Sequence, residues 1–255
     1  MSSSLEPETV EPLLRGRLGR PYLWHAECAS TQEVLRDPDL PEGAVAVAEH
    51  QTAGRGRSGR TWVDVPGASL LLSVLLRPAA PAVRLPELSL VVGLAVAEAI
   101  EAETGAAALL KWPNDVVVDD RKVAGILLEV ADAAVVCGIG VNVDEDEADL
   151  PPGAWGHPVS LRVATGRSHD RAALLAELLS RLEARYDGWL TGGLGAVVDH
   201  VNARDWLRGR AVRVSAGVGI ADGIAGDGRL RVLIGGAPAL VESGEVTPPG
   251  SDRPV

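Results

Sequence analysis

From Ala107 to Asp144 the chain strings together apolar runs too short for ordinary helices: AALLK, DVVV, KVAGILLEV and AAVVCGIGVNV. Valine and isoleucine recur in these runs, and Pro, Asn or Asp breaks separate them, which is the pattern of consecutive β-strands. The spacing predicts three or four strands, with VDDRK (Val118 to Lys122) as a tight hairpin turn. On one side LPELSLVVGLAVAEAIEAETG carries a long helical period that Gly105 stops; on the other, DRAALLAELLSRLEARYDGWL is strongly periodic. Strands joined by turns, with the long helices outside them, define an α+β class.

Upstream, PYLWHAEC, GAVAVAEH and ASLLLSVLLRP read as further strands, and STQEVLRD as a short helix capped by Ser30 or Thr31. QTAGRGRSGRTW holds too much glycine and arginine for either regular element, and DEDEADLPPGAWGHP is a polar, proline-containing excursion. After Trp206 the texture changes to short strands broken by Gly and Asp, resembling a small SH3-like β-barrel. The expected division is an N-terminal polar tail with a short amphipathic helix over 1–20, a main domain over 21–205, the β module over 206–247, and a tail over 248–255.

Composition narrows the function. With 255 residues, 46% of them hydrophobic, the chain can bury a substantial core. A net charge of −11 argues against broad binding to DNA or an anionic membrane. Cys28 and Cys137 fit no metal or redox spacing and are expected as core thiols in a reducing cytoplasm. The first residues lack a signal-peptide pattern, and the apolar runs stop short of membrane-spanning length, so a soluble cytoplasmic protein is expected.

Scarcity then points to chemistry. Of 24 Lys and Arg residues only Lys111 and Lys122 are lysines; the glutamines are Gln32 and Gln51, and the asparagines Asn114, Asn142 and Asn202. A flexible point charge and a planar fork are not interchangeable, so a rare lysine marks a place where arginine serves poorly. GRGRSGR, Gly54 to Arg60, offers forked donors on a backbone that can approach an anion closely. In KWPND, Lys111 can meet a phosphate, Asn114 both donates and accepts, and Asp115 can hold Mg²⁺ through oxygen. Gly125 beside Lys122 permits close approach of a ligand, and Asn142 can read an adenine edge. As an alternative, the arginine loop could serve a non-catalytic nucleotide- or RNA-binding module.

STQEVL, EHQTAGRGRSGRTW, KWPNDVVVDDRKVAGILLEV and GIGVNV stand in the order and approximate spacing of the biotin–protein ligase family, which the chain resembles from about residue 20 onward. The resemblance implies a biotin/lipoate-ligase catalytic domain, with the mixed sheet and helices of class II aminoacyl-tRNA synthetases, followed by an SH3-like barrel. It implies ATP-dependent formation of biotinyl-5′-AMP and transfer of biotin to a lysine of a biotin carboxyl-carrier protein. Lipoate–protein ligase is the related alternative. The roughly twenty residues before the first strand are too few for the winged helix of repressor members. No DNA partner is therefore expected, and a monomer or weak homodimer is.

Position by position, the resemblance implies that Ser30, Thr31, Gln32 and Gln51 bind the biotin head, with the backbone of Arg55, Gly56 and Arg57 closing over it. It places Arg57 and Lys122 at the biotin carboxylate as the catalytic pair, beside Gly125. Arg55 and Arg60 would face the acyl-adenylate or partners of the loop. Trp62 would stack near the adenine and Asn142 bond its edge; Lys111 and Asn114 would serve the phosphates, and Asp115 Mg²⁺. Trp155 is a second stacking candidate. Family members read Ser-Thr-Asn where this chain has Ser30-Thr31-Gln32, and the longer Gln32 arm is expected to have room to turn outward.

Overall fold

A computed structural model describes residues 4–131, 134–152, 156–244 and 246–247. The chain opens with a one-turn helix, α1 (Pro7–Val10), then β1 (Tyr22–His25), α2 (Thr31–Val34), β2 (Val45–Ala48) and β3 (Ser69–Leu76). Next come α3 (Leu88–Thr104) and four strands, β4 (Leu109–Lys111), β5 (Asp115–Val118), β6 (Arg121–Ala131) and β7 (Ala134–Asn142). After α4 (Leu161–Thr165), α5 (Arg171–Gly192) and α6 (Val198–Ala203) follow β8 (Ala211–Val214), β9 (Gly217–Ile224), β10 (Leu230–Ile234) and β11 (Ala237–Val241).

The first seven strands form one sheet in the order β1-β2-β3-β7-β6-β5-β4. Only β1 and β2 run parallel; every other neighbouring pair is antiparallel. The last four strands form a separate antiparallel sheet, consistent with an SH3-like barrel. The helix signals worked as their chemistry dictates. Ser30 caps α2 by accepting from the Gln32 N–H, and Asp170 caps α5 by accepting from Ala172 and Ala173. Gly105 ends α3 in the left-handed region at φ 77°.

One sheet face carries the main core. Val45 and Val47, Leu70, Leu72 and Val74, Ile126, and Cys137, Ile139 and Val141 are buried there together with α3 and α5. α3 is buried along most of its length, which accounts for its apolar run from Leu90 to Ala97. The expected N-terminal tail is a correction: Leu5, Val10, Leu14 and Leu18 are buried in the same core, so apolar contact holds this segment down. Cys137 is a fully buried thiol that burial pushes up to about 12, whereas Cys28 is only partly buried, beside the bridge it makes with Gln51, and so is not a core thiol. No helix among the described residues is long and apolar enough to cross a membrane.

Candidate active site

The other face of the sheet builds the site, and glycines make its floor. On β7, Gly138 and Gly140 alternate with core-facing Cys137, Ile139 and Val141. A Cβ on Gly138 would stand 2.9 Å from the Gln32 Cδ, and one on Gly140 would stand 2.5 Å from the Trp62 ring. On the neighbouring β6, a Cβ on Gly125 would lie 3.0 Å from both Trp62 and the Lys122 Nζ.

Lys122 and Gly125 share this face only because β6 is irregular. In a regular strand, residues an odd number apart point to opposite faces. The pairing with β5 runs Val116 with Ala124 and then Val117 with Lys122, leaving Val123 as an extra residue. This bulge sends Val123 and Ala124 both into the core and returns Lys122 to the floor side. The VDDRK turn that precedes it is the two-residue hairpin expected, with Asp119 and Asp120 both at positive φ, 50° and 59°.

Two cavities meet on this floor. The smaller, about 50 Å³, is lined by Ser30, Thr31, Gln32, Gln51, Arg55, Gly125, Leu127, Gly138 and Gly140. The larger, about 420 Å³, is lined by Arg60, Lys111, Asp115 and Asn142, by Leu150, Pro151, Pro152 and Pro158 of the polar excursion, and by Gly244 and Val246 after β11. Gly56, Arg57, Trp62, Asn114 and Lys122 line both. Trp155 lies outside the described residues.

In the small cavity the polar wall is pre-arranged. The Thr31 backbone N–H donates to Gln51 Oε1 at 2.8 Å, and the Thr31 hydroxyl lies 2.8 Å from that of Ser73 on β3. Gln32 does not turn outward. It is 3% exposed and donates through Nε2 to the Leu127 carbonyl at 3.1 Å, because the absent Cβ of Gly138 leaves room for the longer arm.

Several of the side chains expected to meet ligands make contacts within the protein. Asn114 accepts from Arg57 Nη1 at 2.8 Å and donates to the Ile126 carbonyl at 3.0 Å, so its amide positions Arg57. Arg55 turns away from the large cavity and pairs with Glu129 at 2.9 Å. Asp115 lies 2.7 Å from Lys122 Nζ and is 9% exposed. The Lys122 ammonium thus neutralises this carboxylate. Trp62 lies over Gly125 and Gly140, at the junction of the cavities, with the Lys122 Nζ 5.5 Å from its ring centroid. Asn142 is 4% exposed and donates to the Val159 carbonyl at 3.2 Å. Lys111, also 4% exposed, lines the large cavity, whereas Arg60 lies exposed at its mouth.

The sequence reading missed Glu129, Ser73, Gly138 and Gly140. The glycines had a signal, since two of them at alternate positions in an apolar strand mark a face without side chains. Ser73 and Glu129 had none; only the sheet register brings them to the site.

A glycine floor, a polar wall on a capped helix and a cationic junction between two cavities make a two-chambered, cation-lined ligand site on a mixed α+β sheet. A sequence profile of the Biotin/lipoate A/B protein ligase family matches residues 26–145. The biotin--[acetyl-CoA-carboxylase] ligase of Mycobacterium tuberculosis is 40% identical over 218 residues, 80% of this chain and 79% of that protein. The bifunctional ligase/repressor BirA of Bacillus subtilis is 35% identical over 184 residues, covering 69% of this chain but only 57% of its own length. The structure of the Aquifex aeolicus biotin protein ligase in complex with biotin and ATP superposes with a TM-score of 0.80 at 32% identity, over 88% of this chain and 96% of that one. The chain belongs to the biotin–protein ligase family.

Proposed function

We propose that this protein activates biotin with ATP to biotinyl-5′-AMP and then transfers biotin to a lysine of a carboxylase carrier domain. The observation that carries the reading is the position of Lys122 and Arg57, which line both cavities. The small cavity takes the biotin ring against Ser30, Thr31, Gln32 and Gln51, and the large one takes the nucleotide. At about 50 Å³ the small cavity has room only for a few waters, so biotin enters as Trp62 or the arginine loop moves off the glycine floor. The division into a main unit over 21–205 and a β module over 206–247 belongs to the same proposal, with Gly244 and Val246 lending a wall to the nucleotide cavity.

The first step forms a bond between a biotin carboxylate oxygen and the α-phosphorus and breaks the bond from that phosphorus to pyrophosphate. Two anions must approach each other, and Lys122 and Arg57 offset their repulsion at the point of contact. Asp115 holds the Lys122 ammonium in place until the substrates arrive, and Asn114 does the same for the Arg57 guanidinium. Mg²⁺ enters with the nucleotide as part of the substrate. In the second step the carrier lysine amine attacks the acyl carbon, the bond to AMP breaks, and the amine loses a proton. Asn142 retains its carbonyl oxygen to accept from the adenine amine, because its Nδ2 already donates to Val159.

The test is pyrophosphate release from ATP with biotin, with lipoate and with neither, followed by mass analysis of a carrier domain. Release with biotin alone, and one biotin on one carrier lysine, is expected. Release only with lipoate gives the lipoate ligase, and none with either gives a binding module.

A further inference from the structure

Glu129 stands near the far end of β6 from Lys122, and two arginines from different elements converge on it. Arg55 Nη1 lies 2.9 Å from Oε1 and Arg55 Nη2 3.3 Å from Oε2, while Arg36 Nη2 lies 3.3 Å from Oε2. Arg55 belongs to the glycine–arginine loop over the small cavity. Arg36 follows α2, which with its cap supplies Ser30, Thr31 and Gln32 to that cavity's wall. The floor strand, the wall helix and the loop are thus joined at one carboxylate. Two residues later Arg57 runs to Asn114 at the opposite end, so the loop is held on both sides of the cavity.

We propose that Glu129 is a positioning residue that anchors the arginine loop and the α2 wall to the floor, and thereby sets how long the acyl-adenylate stays on the enzyme. The inference rests on the ligase reading of the site. The strength of the contact suits a latch. Glu129 and Arg55 side chains are 28% and 31% exposed, and pairs this accessible shift loop populations several-fold without holding a fold together. An adenylate left uncovered is lost by release, or by water adding to the acyl–phosphate anhydride to give biotin and AMP.

The test loads the enzyme with radiolabelled biotin and Mg-ATP, removes the excess, and follows loss of label and formation of AMP without a carrier. Glu129→Gln should shorten retention about fivefold at a nearly unchanged thermal midpoint. Glu129→Asp, which keeps the charge, should recover part of the loss. Arg55→Gln should resemble Glu129→Gln, and the double variant should be no worse than either, because both remove one coupled interaction. Should Glu129→Gln fail to fold, Arg55→Gln severs the same pair and decides the matter. Parent-like retention in the single variants, or effects that simply add, overturns the anchor while leaving the ligase reading intact. A parent that accumulates no label refutes the ligase reading on which the anchor rests.

Discussion

Lys122 shows why a residue type can be dictated by its surroundings. Its ammonium lies 2.7 Å from Asp115 and 5.5 Å from the Trp62 ring centroid, above a glycine whose missing Cβ it nearly touches. A guanidinium is wider and planar, and it would need space that Trp62 occupies. Lys122→Arg should therefore lower adenylate formation roughly a hundredfold, the cost of about 1 Å of misplacement, with a thermal midpoint close to the parent's. Pyrophosphate release in single turnover checks this, and a rate within a few-fold of the parent's would mean that the site tolerates a fork. Glu145 makes a second, independent case. It is 1% exposed, and burial raises its carboxyl above the usual glutamate range, a shift the Ser69 hydroxyl partly offsets by donating to it. The native state therefore holds this proton to higher pH than the unfolded chain does. Stability falls as pH rises from the ordinary glutamate value through the raised one. Glu145→Gln removes that titration. Urea unfolding from about pH 4 to pH 8 should show the parent losing stability relative to the variant, whereas parallel curves would contradict it.

At the scale of elements, β7 does two jobs on its two faces, core on one and floor on the other. Gly140→Ala asks little of the strand backbone but sets a methyl 2.5 Å from the Trp62 ring. The indole must shift, which strains the base of the loop, where the Trp62 backbone N–H donates to the Gly54 carbonyl at 3.0 Å. Biotin affinity should fall about tenfold or more, by calorimetric titration, while the pairing of β7 with β3 and β6 persists. Unchanged affinity would show that Trp62 has another resting place. Much at this scale was legible beforehand. Apolar runs bounded by Pro, Asn and Asp gave the strands, and Ser30 and Gly105 marked helix ends through their own hydrogen-bonding and conformational chemistry. The bulge at Val123 was not legible, because KVAGILLEV reads as one continuous strand and nothing local announces the extra residue. The pairings of Asn114 with Arg57 and of Arg55 with Glu129 were equally hidden, since each joins residues more than fifty positions apart. Sequence could nominate those side chains as polar site residues, but not decide whether they meet a ligand or each other.

Across the whole molecule, the β module is fastened to the strands that carry the cations. Just before the module, the Leu110 N–H donates to the Arg204 carbonyl at 2.8 Å; from the module itself the Trp206 backbone N–H donates to the Leu110 carbonyl at 2.9 Å, and the Gly228 carbonyl accepts from Trp112 Nε1 at 2.9 Å. At the hairpin turn before Lys122, Asp120 accepts from Trp206 Nε1 at 2.5 Å and from Arg210 at 2.8 Å, and Arg210 lies over the Trp206 ring. Asp120→Gly suits the positive φ of that position and deletes both acceptors. It should raise the KM for ATP several-fold, leave the KM for biotin unchanged, and cost about 1 kcal/mol of stability. A rise in both constants would indicate a general loosening of the sheet instead.

The strand order has a consequence for how the site comes into being. Every neighbouring pair in the seven-stranded sheet is consecutive in the chain except β3 with β7. The two stretches on either side of that seam can each form through short-range contacts, but joining them closes a long loop, the slow kind of event in folding. The seam is also where the small cavity lies, with Ser73 and the polar wall from the first stretch and Gly138, Gly140 and Lys122 from the second. Neither half holds both walls of the small cavity. A ligand of the small cavity therefore finds its two walls together only in the completed sheet, and its binding energy accrues to that state. Ligand at a hundred times its Kd then protects the whole fold by about 2.7 kcal/mol, so that filling the cavity and closing the seam reinforce each other.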